Sequence, residues 1–130
     1  MNNGIKIALF LMGVAVASTS FSATPLSDAM EALAKSEKAF DKAKNQEDAQ
    51  KALIEMQKAI ETMKVNKPKK LLKENVAPEK VQHYEQLVAE LEHSIQHAQH
   101  LLVEGNLVEA QEMTEKFDEL KKQGHRAFRF

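Results

Sequence analysis

Residues 105–130, GNLVEAQEMTEKFDELKKQGHRAFRF, end one helix and build another. Gly105 follows an apolar-periodic run and has the conformational freedom that a left-handed C-terminal helix residue needs. Asn106 then offers N-cap chemistry, and Glu109, three residues on, completes a capping box. Ala110, Met113, Phe117 and Leu120 recur at intervals of three and four, which carries an apolar stripe toward His125. A break this short between two helical patterns makes them antiparallel neighbours.

Working back from Gly105, Val81, Tyr84, Val88, Leu91, Ile95, Ala98 and Leu102 form the stripe of the preceding helix. Before it, Asn45 caps a second helix, with Asp48 three residues later, and Ala49, Ala52, Leu53, Met56, Ile60 and Met63 keep bundle spacing to about Lys64. Thr24 caps the first helix, which starts at Pro25, where a missing N–H costs nothing, and gains favourable charge from Asp28. Its stripe of Leu26, Met30, Leu33, Glu37 and Phe40 runs to about Lys44, and Glu37 is its single polar interruption. Residues 65–78, punctuated by Pro68 and Pro78, form the one long connection and are expected to be ordered only in part. Four helices with two tight connections predict an all-α, antiparallel up-down-up-down four-helix bundle.

Composition supports this reading. The chain has 130 residues, 28% of them charged and 43% hydrophobic, which fits one domain. Only 4 glycines and 3 prolines interrupt it. The absence of cysteine excludes disulfides, thiolate metal sites and covalent attachment of a haem through its vinyl groups. Residues 1–22 read as a signal peptide: Lys6 precedes an apolar run over 7–17, and Ser20 and Ser22 are the small residues required before a cut at Ala23. That leaves 23–130 as the bundle. Without Lys6 the mature chain has 17 basic and 19 acidic residues, a net charge of −2, so nucleic acid is not an expected partner.

The bundle order places the start of helix one, the 65–78 connection and the end of helix four at one end. Met30 and His125 each lie one to two turns inside that end, on neighbouring helices. Taken alone, Met30 reads first as core filler and His125 as a helix-terminal histidine favoured by the dipole. Together, a thioether and an imidazole suit a six-coordinate haem iron and leave no open position for oxygen, which points to electron transfer. No Ser/His/Asp or paired-carboxylate constellation suggests an enzyme.

His93, His97 and His100 follow an i, i+4, i+7 spacing that could gather around zinc, copper or nickel, with Glu90 and Glu104 as further donors. At about 100° per residue, however, they point away from Ile95, so a solvated face is expected. His83 is expected to be exposed as well. A haem-free helical binding or stress module, metal-responsive through this histidine face, is the competing reading. The lysines Lys64, Lys67, Lys69, Lys70 and Lys73 form the clearest charge cluster, read either as solvation or as a surface that steers an acidic redox partner.

The mature chain resembles the cytochrome b562 family over nearly all of 23–130 without a gap. The matching landmarks are Met30, Ala52-Leu53 with Met56, Pro68 with Lys70-Leu71, Glu104-Gly105 followed by Glu109-Ala110-Gln111, and His125. The resemblance implies a soluble periplasmic electron carrier with one non-covalent haem b, whose iron is held by Met30 and His125. It places Leu33, Pro68, Tyr84 and Val88 around the haem, with Lys121 and Arg129 near its propionates. It also implies a monomer with no membrane anchor after signal cleavage, serving an unidentified redox partner protein. Tyr84 and Val88 stand where the family has phenylalanines, and Gly124 replaces an aromatic residue, so a looser pocket is expected.

Overall fold

The computed structural model describes residues 24–128. The expected signal peptide and Arg129 therefore lie outside the described residues. Five α-helices follow in order: α1 (Pro25–Lys42), α2 (Gln46–Val65), α3 (Pro78–Val103), α4 (Leu107–Glu112) and α5 (Thr114–Phe128). A 3-10 turn, Lys69–Leu72, sits in the long connection between α2 and α3. Helices α4 and α5 together make the fourth rod of an all-α four-helix bundle. Among the described residues, no helix is long and apolar enough to cross a membrane.

Local chemistry explains most of the boundaries. The Thr24 hydroxyl accepts from the Ser27 N–H at 3.0 Å, and the Asn45 side chain accepts from the Asp48 N–H at 2.8 Å, so both predicted N-caps are formed. Helix α1 stops at Lys42 rather than near Lys44, because Ala43 turns to extended backbone at φ −62°, ψ 137°. Helix α3 ends as the glycine predicts, with Gly105 at φ 86°. The Gly105 N–H donates to the Leu102 carbonyl at 2.9 Å and the Asn106 N–H to the Leu101 carbonyl at 2.8 Å, a Schellman closure.

That closure corrects the reading of Asn106. Its N–H is spent on α3, so Glu109 has no donor to reach back to, and the Asn106 side chain makes no capping bond. The fourth rod is also not one continuous helix. It tightens at Met113, whose N–H donates to the Ala110 carbonyl three residues back at 3.1 Å, and then restarts at Thr114.

The apolar stripes meet in one core, where Leu33, Phe40, Leu53, Met56, Ile60, Ile95, Leu102 and Phe117 are almost completely buried. Each such side chain contributes about 1.5–3 kcal/mol by leaving water. The rings of Phe40 and Phe117 pack 6.0 Å apart, joining α1 to α5. Two glutamines fasten this half of the bundle. Gln111 donates to the Phe40 and Ala43 carbonyls at 3.0 and 2.7 Å, and Gln46 to the Leu102 carbonyl, so side chains from other helices bind carbonyls at the ends of α1 and α3. The α1–α5 seam is packed more sparsely than the α1–α2, α2–α3 or α3–α5 seams. The candidate site opens there.

Candidate functional site

Met30 packs against the core from the second turn of α1 and stays half-buried. His125, in the last turn of α5, is exposed. Both line one groove of about 450 Å³, together with Thr24, Leu26, Ser27, Pro68, Lys69, Lys70 and Phe128. The structure thus brings Met30, His125 and Pro68 together at the end of the bundle that the helix order designates.

Behind the groove lies a smaller, mostly apolar pocket that shares Met30 and Phe128 with it. Leu33, Tyr84, Val88 and Lys121 line this inner pocket, as do Met63, Leu87, Leu91, Leu120 and Gly124. Every sequence-predicted site residue among those described therefore belongs to one of the two adjoining spaces. Phe128, only 4% exposed, is the partition between them, and its ring packs edge-on against Tyr84 at 5.6 Å. Sequence reading missed Phe128 as a site residue, although its place one turn beyond His125 could have suggested it. Val88 and Gly124 are both buried where they line the inner pocket.

Tyr84 has a structural reason to be a tyrosine. Its hydroxyl donates to the Met63 carbonyl at 2.8 Å, one of the acceptors that the end of α2 leaves unused. Burial pushes its phenol up to about 12. Tyr84→Phe leaves that carbonyl without its buried donor and is expected to cost about 1 kcal/mol in urea unfolding of the haem-free chain. An unchanged midpoint would show that water replaces the bond.

Lys121, which the resemblance puts near the propionates, lines the inner pocket and is paired within the fold. Its ammonium lies 2.5 Å from the carboxylate of Glu37, the polar interruption in the α1 stripe, and 3.9 Å from Asp118. Glu37 is 5% exposed. Burial, reinforced by the hydrogen bond to Asp118, raises its carboxyl from 4.5 to about 7 against the opposing pull of Lys121. The cations nearest the groove are instead Lys69 and Lys70 of the 3-10 turn.

His93, His97 and His100 are exposed, as their phase on α3 predicts. The His100 imidazole lies 3.1 Å from Glu104, but among the described residues no three His, Asp or Glu side chains gather closely enough to hold a metal ion. The competing metal-responsive reading therefore gains no assembled site. His83 is exposed too, with its ring 5.4 Å from that of Phe128.

No curated protein matches the chain significantly. The family model of cytochrome b562, in contrast, matches residues 25–129, which is the whole bundle from the first residue of α1 to beyond the end of α5. With that match over most of its length, and with a four-helix bundle as its fold, the chain belongs to the cytochrome b562 family.

Proposed function

We propose that the protein is a periplasmic electron carrier that holds one non-covalent haem b, with Met30 and His125 as the axial ligands of its iron. The observation that carries this reading is the groove itself: a thioether from α1 and an imidazole from α5 line the same opening, at the sparsely packed seam between their helices. The donor set fits the group, since Met and His together are a b-type ligand pair and no thiolate competes. The surroundings fit as well, because Leu26, Pro68 and Phe128 offer apolar walls and Lys69 and Lys70 border them with positive charge.

When bound, the haem supplies a one-electron exchange between ferric and ferrous iron. Everything else falls to the chain. The Met30 thioether would favour the reduced metal and so raise the potential, and the His125 imidazole would be its second protein ligand. Leu33, Leu87, Val88 and Leu91 keep the inner side dry. Lys69 and Lys70, which line the groove itself, are better placed than Lys121 to meet propionates, because Lys121 is already engaged by Glu37. Membership of a carrier family and a site that saturates the metal both favour carriage over catalysis.

Adding haemin to the haem-free mature chain and recording oxidised and reduced visible spectra tests the proposal. One equivalent is expected to give a six-coordinate, low-spin spectrum in both states. Failure to bind haemin at micromolar concentration would overturn it. Fractionation of expressing cells, with mass determination of the processed chain, checks the periplasmic address and the cut before Ala23.

A further inference from the structure

We infer that residues 64–80, the connection between α2 and α3 with the helix ends that flank it, are the docking surface for an acidic electron-transfer protein. This rests on the proposed carrier function, since it names the kind of partner that would approach the groove. The segment holds six lysines and two glutamates, a net charge of +4 in a chain whose total is −1. The other inter-helix turn of α3 shows the reverse: residues 104–109 hold two glutamates and no basic residue. These two segments lie at opposite ends of the 26-residue helix α3, about 39 Å apart at 1.5 Å per residue. The two ends of α3 therefore differ in charge, and the positive one is the end where Met30 and His125 line the groove.

Ion pairing within the fold consumes only part of this charge. Lys64 is held by Glu92 at 2.8 Å and by Glu61 at 3.6 Å, and Lys67 lies 3.6 Å from Glu85. Lys69, Lys70, Lys73 and Lys80 have no ion-pair partner among the described residues. Lys69 and Lys70 line the groove, and Lys70 and Lys80 line a second recess between the 3-10 turn and the end of α5. Within the same segment Val65 is 77% and Leu72 is 67% exposed. Exposed apolar side chains set among unpaired cations match the anatomy of a small, transient interface, in which the charges steer the encounter and the apolar contacts hold it briefly.

An anionic lipid surface is the other occupant that basic charge admits, but interfacial binding requires a helix with a broad apolar face. This segment offers one 3-10 turn and two separated apolar side chains. A protein surface bearing carboxylates fits it better.

The test uses the 15N-labelled mature chain, with and without haem, and three probes: an acidic plant-type [2Fe–2S] ferredoxin, a basic c-type cytochrome, and vesicles of phosphatidylcholine with phosphatidylglycerol. The ferredoxin is expected to perturb amides of 64–80 at about 0.01 M salt, where charges act over about 30 Å, and to lose this effect at about 1 M, where they act over about 3 Å. The basic cytochrome is expected to leave the segment unperturbed. Lys73→Glu with Lys80→Glu brings the segment from +4 to 0 and should slow electron exchange with ferredoxin by about tenfold while leaving the haemin titration unchanged. Leu72→Ser should weaken the complex without altering its salt dependence.

Perturbation centred elsewhere, equal binding of the basic cytochrome, indifference to the charge reversal, or capture by vesicles in place of ferredoxin would each overturn the inference. If haemin binds and ferredoxin leaves 64–80 unperturbed, this inference fails alone. If ferredoxin perturbs 64–80 of a chain that takes up no haemin, the carrier function fails and the docking surface stands.

Discussion

Replacing His125 by alanine is expected to lower haemin affinity by more than about 100-fold, because loss of a mere outer-shell partner of a metal ligand already costs about 10–100-fold. The haem-free chain should be affected much less. His125 is exposed in the last turn of α5, so removing its ring opens no cavity in the core. The contrast between a large effect on haemin and a small one on unfolding separates a ligand from a structural histidine. Met30→Leu is the matched change on the other wall, since it keeps volume and apolar character while removing the sulfur. It should leave His125 as the sole strong donor, turn the spectrum high-spin and lower the reduction potential. A double variant that still binds haemin in a low-spin form would sink the ligand assignment, whatever became of the family membership. Spectra, a haemin titration and urea unfolding of the same three variants supply all the readings required.

The parts of this molecule legible in its sequence are those governed by neighbours in the chain. Thr24, Asn45 and Gly105 act within a few residues of themselves, and all three do in the structure what their chemistry predicts. The apolar stripes fix which faces meet, and the short turns fix the helix order, so the common end of Met30 and His125 could be read before any coordinates. What escaped reading depends on competition between elements. Asn106 has good cap chemistry, but its N–H is claimed by the closure of α3. Lys121 looks available until α1 is laid beside α5 and Glu37 takes it. The break at Met113 has only a weak composition signal, the β-branched Thr114 that follows it, since Met and Glu sit comfortably inside helices. Phe128 was invisible as a partition for the same reason: its role depends on where Tyr84, two helices earlier in the bundle, directs its ring.

The second large effect concerns Glu37. Its carboxyl is raised from 4.5 to about 7 in the fold, so between those values the folded chain holds a proton that the unfolded chain has released. Stability associated with Glu37 is therefore fully present below about pH 4.5 and is lost as pH rises through about 7. At 1.36 kcal/mol per pKa unit, the rise from 4.5 to about 7 sets this loss at about 3 kcal/mol. Glu37→Gln removes the titration and is expected to stabilise the haem-free chain by that amount at pH 8, and by little at pH 4. Lys121 tolerates the change because its side chain is 22% exposed and Asp118 lies 3.9 Å away. Lys121→Met should act in the opposite sense, depriving the ionised carboxylate of its cation and moving the loss to higher pH. Urea unfolding from pH 4 to 8 reads both variants, and carboxyl NMR of Glu37 reads the titration directly. Parallel pH profiles for the parent and Glu37→Gln would show that the carboxyl titrates at its ordinary value and that its burial is relieved in solution. The seam at stake is the one between α1 and α5, the helices that carry Met30 and His125. Above neutral pH the ionised Glu37 weakens that seam, and Glu37→Gln should therefore also narrow the pH range over which haemin affinity varies.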